Sequence, residues 1–174
     1  ENVPVVTLVG PGGIGKTRMA CHIASLVLPI YSDGVWLVEL ASASDSLYMM
    51  SKVASVLGVT EQPGVTMLDT ILEKVRNKKI LMVLDNCEQL IHSCASFVES
   101  LLSVATDIKI LVTSQEPLNI ETENIWRVPP LSFPKLDEEK KLISINFMEY
   151  ESIQLFMKRA ASMVPDYEIS EEEI

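Results

Sequence analysis

The chain has 174 residues, a length typical of one domain or of one domain and part of a second. Hydrophobic residues make up 48% of it and charged residues 22%, a balance that excludes a wholly disordered chain. It carries 14 Lys and Arg against 24 Asp and Glu, without the basic stripe typical of nucleic-acid surfaces, so we expect no direct binding to DNA or RNA. No apolar run reaches the roughly 18 residues of a membrane span, so we expect no membrane partner.

The sequence begins at Glu1 rather than Met, and no charged-then-apolar leader precedes its first apolar run. These features favour one module of a longer cytoplasmic protein. The 3 cysteines are odd in number and irregularly spaced, which predicts reduced thiols rather than a disulfide framework.

Apolar runs alternate with segments of helical periodicity along the chain. The first run, Pro4–Val9, is rich in β-branched residues and has no polar face, which predicts a strand buried on both sides. Further strands are predicted at 35–40, 80–84, 108–113 and 124–128, and helices at 16–28, 47–57, 68–75, 88–105 and 153–164. This alternation predicts an α/β fold with a parallel sheet covered on both faces. The charged stretch 132–148 has no clean period and is predicted to be a linker that follows a core of residues 1–131.

The turn after the first strand reads GPGGIGKT, from Gly10 to Thr17, and fits G-x-x-x-x-G-K-[ST] at every fixed position. Glycines let the backbone fold tightly and turn N–H groups toward an anion, and the next helix points its positive end at the same place. The ammonium of Lys16 is predicted to bridge the β- and γ-phosphates, and the hydroxyl of Thr17 to ligate Mg²⁺. Because a strand precedes the turn and a helix follows it, we predict a phosphate-binding loop rather than a turn that binds nothing.

A carboxylate follows the most apolar strand. Asp85 comes directly after Ile80–Leu84, where a nucleotide-binding fold holds its magnesium; the alternative is an Asp that caps the next helix. Asn86 can orient water but is a poor base. Glu88, two residues further on, either helps to activate water or lies in the first helical turn, where its negative charge interacts favourably with the positive end of the helix. We therefore predict slow hydrolysis, with Lys16, Asp85 and Asn86 as the catalytic residues.

The fourth strand ends in TSQEP, residues 113–117. In folds that insert a strand between the phosphate-loop strand and the Asp85 strand, this end faces the γ-phosphate, and polar groups there report whether that phosphate is present. Ser114 is our candidate for such a contact. Turn chemistry before Pro117 is the alternative.

Six segments follow one another between about residues 4 and 164: GPGGIGKTRMA, GVWLVELAS, ILMVLDNCEQL, ILVTSQEPL, WRVPPL and ESIQLFMKRA. Together they resemble the signal-transduction ATPases with numerous domains, the STAND class, of which the NB-ARC domains are more distant relatives. The nearest resemblance is to the bacterial predicted-ATPase branch found in LuxR-type and antibiotic-regulator-type transcription factors and in some adenylate cyclases.

The resemblance implies a three-layer P-loop NTPase fold of the ASCE type, with sheet order 5-1-4-3-2, that switches between ATP and ADP with Mg²⁺. It also implies that residues 149–174 begin a helical lid, in which Ser170–Glu173 reads as a capping box. The predicted cofactor-binding residues are Pro11, Gly12, Gly13, Ile14, Gly15, Lys16, Thr17, Arg18 and Ser114, and the predicted metal ligands are Thr17 and Asp85.

One position departs from the family pattern. Relatives usually read TSRE, with an Arg that contacts the γ-phosphate, and this chain has Gln115 in its place. A neutral amide loses the charge-assisted hydrogen bond. The departure therefore weakens the expectation of γ-phosphate sensing and of hydrolysis.

The favoured function is a nucleotide-binding switch, a slow ATPase module of a larger signalling or transcription-regulatory protein. Its partners would be the effector and sensor domains of the same full-length chain, and it would self-associate in a nucleotide-dependent way. A module that holds ADP structurally without hydrolysis is the alternative, favoured by Gln115 and Asn86. A small-molecule kinase is a third reading, but it needs a basic lid, and Arg127 and Arg159 lie far apart.

Overall fold

The computed structural model describes residues 3–43, 45–134 and 147–163. The chain divides into two compact units, Glu1–Val128 and Pro129–Ile174. The capping box predicted at 170–173 and most of the predicted linker lie outside the described residues, so the proposed division into core, linker and lid stays a prediction.

The first unit is built on a five-stranded parallel sheet in the order β2-β3-β4-β1-β5. This confirms the predicted order 5-1-4-3-2, read from the opposite edge. β3 is buried at every position and β4 at all but its first, as the absence of a polar face in their sequences predicts. The strands are β1 (Val5–Val9), β2 (Val35–Glu39), β3 (Leu81–Asp85), β4 (Lys109–Ser114) and β5 (Glu123–Arg127).

Helices flank this sheet and bury two hydrophobic clusters. The larger cluster joins the sheet to α2, α3 and α4 and includes Phe97 and Leu101, while the smaller one lies under α1 around Ala20. The helices of the first unit are α1 (Lys16–Val27), α2 (Ser46–Leu57), α3 (Met67–Val75) and α4 (Ile91–Val104).

Two helix boundaries differ from the prediction for local reasons. The helix expected from Glu88 begins at Ile91, because Asn86 has left-handed dihedral angles and Cys87–Gln89 form a 3₁₀ turn. The first helix ends at Val27, and Pro29, which has no N–H to donate, lies in a second 3₁₀ turn.

Side chains cap the first turns of α2 and α3. The side chain of Asp45 accepts a hydrogen bond from the N–H of Tyr48, and Gly58 ends the same helix in the left-handed conformation. Thr66 accepts from the N–H of Asp69 at the start of α3. Side-chain capping therefore fixes the beginnings of both helices.

Thr7 is a buried polar group in the middle of β1. It is fully buried, and its hydroxyl has no hydrogen-bond partner among the described residues. An unpaired buried hydroxyl costs about 1–3 kcal/mol, and valine has nearly the same shape. Thr7→Val is therefore expected to raise the free energy of unfolding by about 1 kcal/mol in urea titrations. A less stable variant would contradict the assignment of an unpaired hydroxyl.

Asp33 ties the turn before β2 to the segment before β3. Its Oδ1 accepts from Nζ of Lys78 at 2.9 Å and its Oδ2 from the N–H of Lys79 at 3.0 Å. The hydrogen bond from Lys78 is the largest cause, and that from Lys79 the second, of a pKa of Asp33 below its ordinary value. These contacts hold the two strands in register at their N-terminal ends.

Lys78→Ala is expected to raise the pKa of Asp33 toward its ordinary value, with the N–H of Lys79 preserving part of the shift. Since the folded-state pKa is the lower one, the carboxylate stabilises the fold above its unfolded-state pKa, and that stabilisation disappears as the pH falls through the folded-state pKa. An NMR titration of the carboxyl carbon measures the shift. Lys52→Ala is the control, because Lys52 lies over the ring of Tyr48 instead; an unchanged titration in Lys78→Ala would refute the pairing.

The second unit contains α5 (Glu151–Met163), preceded by a short 3₁₀ turn at Phe147–Glu149. Its start is fixed by two reciprocal bonds, from the N–H of Glu151 to Oγ of Ser132 and from the N–H of Ser132 to Oε2 of Glu151. No residue of this helix is buried, and Phe156 is 58% exposed.

Among the helices described here, none has the length and apolar character that a bilayer crossing requires.

Candidate functional site

The loop between β1 and α1 is shaped by glycine conformations. Gly13 and Gly15 have φ angles of 80° and 100°, which side-chain-bearing residues rarely adopt. A Cβ built on Gly12, Gly13 or Gly15 would meet no atom within 4 Å. The loop is therefore tightly turned, and open space lies beside these three positions.

The N-terminus of α1 faces this loop without a cap of its own. Its N-cap residue is Gly15, no side chain caps it, and no acidic residue lies in its first turn. The first N–H groups of a helix lack partners inside the helix, and their end of the helix carries a partial positive charge. A 12-residue helix that begins in this way is suited to an anion from outside the chain.

Lys16 lies along the loop rather than in solvent. It is 8% exposed, and its Nζ donates to the carbonyl oxygens of Gly10 at 2.7 Å and Pro11 at 3.1 Å. The ammonium is thus held against the backbone of the loop. Pro11 and Arg18 are exposed, and Ile14 is partly exposed.

The two predicted metal ligands lie together, although 68 residues separate them. The hydroxyl of Thr17 donates to Oδ1 of Asp85 at 2.8 Å. Asp85 ends β3 and is 5% exposed, so the contact joins the first turn of α1 to the C-terminal end of a central strand.

Thr113, which the sequence analysis did not single out, also contacts this carboxylate. Its hydroxyl donates to Oδ1 of Asp85 at 2.5 Å and accepts from the N–H of Asn86 at 3.0 Å. The side chain is fully buried near the end of β4. No local pattern in the sequence places it there, because its position beside Asp85 depends on the register in which Leu84 pairs with Val112 and the next residues of both strands share a face.

Ser114 lies on the opposite side of the strand. Its side chain is fully buried, and its Oγ accepts from the N–H of Glu116 at 3.3 Å. Its carbonyl oxygen accepts from the N–H of Gly10 at 3.3 Å. The structure therefore brings Ser114 to the loop through its backbone, whereas the side chain of Thr113 lies beside Asp85.

Gln115 and Glu88 form a second polar contact near the end of β4. Nε2 of Gln115 lies 3.5 Å from Oε1 of Glu88, at the limit of a hydrogen bond. Oε2 of Glu88 is buried and has no partner among the described residues. One oxygen of this carboxylate is thus buried without a hydrogen-bond partner in the described part of the chain.

Cys87, two residues after Asp85, is not poised for chemistry. The hydrogen bond with Cys94 and then burial raise its pKa well above its usual value. The thiol therefore stays protonated at neutral pH, which disfavours it as a nucleophile.

The donor set at Asp85 fits a small hard cation. Carboxylate and hydroxyl oxygens suit Mg²⁺, which keeps most of its sites for water and phosphate and so needs few protein ligands. Oδ1 of Asp85 accepts both threonine hydroxyls, whereas Oδ2 makes no hydrogen bond to the described part of the chain. Within 3–43, 45–134 and 147–163, no cluster of three or more His, Cys, Asp or Glu offers a competing metal site.

Comparison with known proteins adds two partial matches in sequence. No protein-family model matches the chain. It is 36% identical over 166 residues to a Mycobacterium tuberculosis protein named "Putative HTH-type transcriptional regulator", covering 95% of this chain and 17% of that protein. It is 33% identical over 166 residues to an uncharacterized protein of the same species, covering 95% of this chain and 38% of the relative. The chain therefore spans well under half the length of the curated relatives that it matches.

Solved structures match the fold. The chain superposes on Cdc6p from Pyrobaculum aerophilum with a TM-score of 0.56 at 16% identity, covering 74% of this chain and 40% of that one. It superposes on Drosophila ORC bound to DNA with a TM-score of 0.54 at 14% identity, covering 72% of this chain and 37% of that one. At these identities the likeness concerns the fold alone. Together with the observed strand order, it shows that the chain has a P-loop NTPase fold.

Proposed function

We propose that the chain is the nucleotide-binding module of a longer regulatory protein. The loop of residues 10–17 would receive the phosphates of ATP or ADP. Lys16 would compensate their charge, and Thr17 and Asp85 would hold Mg²⁺, directly or through water. Bound Mg²⁺ would neutralise phosphate charge and fix the position of the phosphate oxygens.

The observation that carries the proposal is the uncapped N-terminus of α1 beside an open glycine loop. Free N–H groups, a positive helix end and an ammonium converge there, and no acidic residue of the first turn competes for them. Lys16 would exchange its bonds to the carbonyls of Gly10 and Pro11, 2.7 and 3.1 Å long, for bonds to phosphate. Those carbonyls lie in a partly exposed loop where water can replace the ammonium.

We also propose that the module belongs to the STAND class, because six segments of its sequence resemble that class in the same order. The mycobacterial relative named as an HTH-type transcriptional regulator supports a role in transcription regulation. In such a protein, different affinities of the open and closed states for ATP and ADP would supply the switching free energy. Effector and sensor regions of the same polypeptide would be the partners, and self-association would follow nucleotide exchange.

Hydrolysis in this module would be slow, because the residue after Asp85 is an amide. Glu88, two residues after Asn86, is our candidate base; its Oε2 has no partner among the described residues, and its Oε1 contacts Gln115. Glu88→Gln keeps the shape and removes the base. It is expected to lower single-turnover phosphate release by about 100-fold while leaving the Kd of Mg-ATP unchanged. Equal rates in both proteins would exclude Glu88 as the base.

The second candidate is a module that holds ADP and does not hydrolyse ATP. Two residues favour it. Asn86 has no carboxylate to act as a base, and its backbone N–H is bonded to Thr113, while Gln115 is neutral where relatives have an Arg. Phosphate release measured in wild type and in Lys16→Ala separates the two candidates. Release that exceeds the Lys16→Ala background supports the switch, whereas indistinguishable rates support the ADP-binding module.

Isothermal titration with ATP, ADP and GTP, with Mg²⁺ and in EDTA, tests the binding proposal. We expect saturable binding of one adenine nucleotide per chain that tightens with Mg²⁺. GTP tests base selectivity, which the family resemblance alone implies. Absence of binding by all three nucleotides at millimolar concentration would overturn the proposal.

A further inference from the structure

We propose that Thr113 is a positioning residue for the metal-side carboxylate, acting through Asp85 rather than touching the nucleotide. The inference rests on the proposed function, because it concerns how the same site holds Mg²⁺. It assigns to the sensor strand β4 a role in Mg²⁺ binding that is separate from any contact with the γ-phosphate.

The geometry fixes the carboxylate from two sides. Thr17, from α1, and Thr113, from β4, both donate to Oδ1 of Asp85, at 2.8 and 2.5 Å. Two donors on one oxygen restrict rotation about the side-chain bond. They leave Oδ2 without a hydrogen-bond partner in the described chain, and we assign this oxygen to the cation or to its water.

Thr113 also fixes the backbone that follows the carboxylate. Its oxygen accepts the N–H of Asn86 at 3.0 Å, and Asn86 has a left-handed φ of 63°. An asparagine tolerates that conformation at a modest cost, provided that its surroundings determine it. A single hydroxyl therefore holds both the side chain of Asp85 and the turn immediately after it.

Burial makes the arrangement specific. Thr113 is fully buried, so its hydroxyl cannot turn to water, and both of its hydrogen bonds go to the segment at the end of β3. Thr7, on β1, is equally buried, but its hydroxyl has no hydrogen-bond partner among the described residues. The two threonines are thus equally buried, but only Thr113 donates a hydrogen bond to Asp85.

The test is the gain in ADP affinity that Mg²⁺ provides, measured as the ratio of Kd in EDTA to Kd in Mg²⁺. Thr113→Val is expected to lower this ratio by about 10- to 100-fold, the usual loss when a residue behind a metal ligand is removed. The Kd in EDTA should stay as in wild type, since the loop is intact. Thr113→Ser keeps the hydroxyl and should keep the wild-type ratio. Thr7→Val, which also replaces a buried hydroxyl by a methyl group, is the control and should leave the ratio unchanged.

A general loss of structure would lower affinity in both conditions and leave the ratio unchanged, which would overturn the proposal. A wild-type ratio in folded Thr113→Val would overturn it as well. If Thr113→Val does not fold, Thr113→Ala is read in the same way. Should the wild type bind ADP with no gain from Mg²⁺, this inference fails while nucleotide binding stands; should it bind no nucleotide, the proposed function fails first.

Discussion

Lys16→Ala is expected to remove most of the thermal stabilisation that nucleotide provides. At a ligand concentration of 100 times Kd, binding to the native state alone stabilises a protein by about 2.7 kcal/mol. For a chain of this size that corresponds to a rise in Tm of roughly 5–10 °C. Removing a charged donor to phosphate costs on the order of 3 kcal/mol, or about 100-fold in Kd. At the same ligand concentration, stabilisation of the variant would fall to about 0.4 kcal/mol.

Differential scanning fluorimetry with and without Mg-ADP measures the effect. The apo form of Lys16→Ala should keep nearly the wild-type Tm, because Nζ of Lys16 donates to carbonyls of its own loop, where water can replace it. Lys79→Ala is the matched control, since Lys79 is exposed and precedes the other end of β3. A wild-type rise in Tm in Lys16→Ala would remove Lys16 from the site.

Leu101→Ala is expected to lower the free energy of unfolding by 2–5 kcal/mol, the range for a buried leucine. Leu101 is fully buried on α4 in the larger hydrophobic cluster, and the truncation leaves a cavity there. Since domains are stable by only about 5–15 kcal/mol, this is a large fraction of the total. Tm would fall by roughly 4–20 °C.

Leu47→Ala is the matched control for this prediction. Leu47 lies in the first turn of α2 and is 82% exposed, so the same truncation should change stability by less than about 0.5 kcal/mol. Urea denaturation of both variants gives the comparison. Equal losses in the two variants would mean that α4 does not pack against the sheet as described.

The sequence predicted the parts of the fold that local patterns determine. Apolar runs at β3 and β4 and the glycine motif before α1 carry enough information to place strands, loop and helix. The strand order is non-local, and its prediction came from the family resemblance rather than from periodicity. Helix α4 was placed correctly except at its start. The left-handed Asn86 delays that start, and its N–H donates a hydrogen bond to Thr113 on β4, a strand that is distant in sequence.

The same limit applies within the site. Thr17 was predicted from the glycine motif and Asp85 from its place after the most apolar strand, and the Thr17 hydroxyl lies 2.8 Å from Oδ1 of Asp85. Thr113 was missed because its importance depends on the register between β3 and β4, which no single segment encodes. Ser114 was chosen by its position at the strand end, and only the alternation of side chains across the sheet separates it from its neighbour.

The most direct test of the account is the response of the loop amides to ADP in amide NMR spectra of the isotopically labelled chain. If phosphate occupies the loop, the largest shifts in wild type should fall on the N–H groups of residues 12–18, and Lys16→Ala should lack them at the same ADP concentration. Nucleotide binding that leaves these amides unmoved, or shifts them equally in both proteins, would contradict the account.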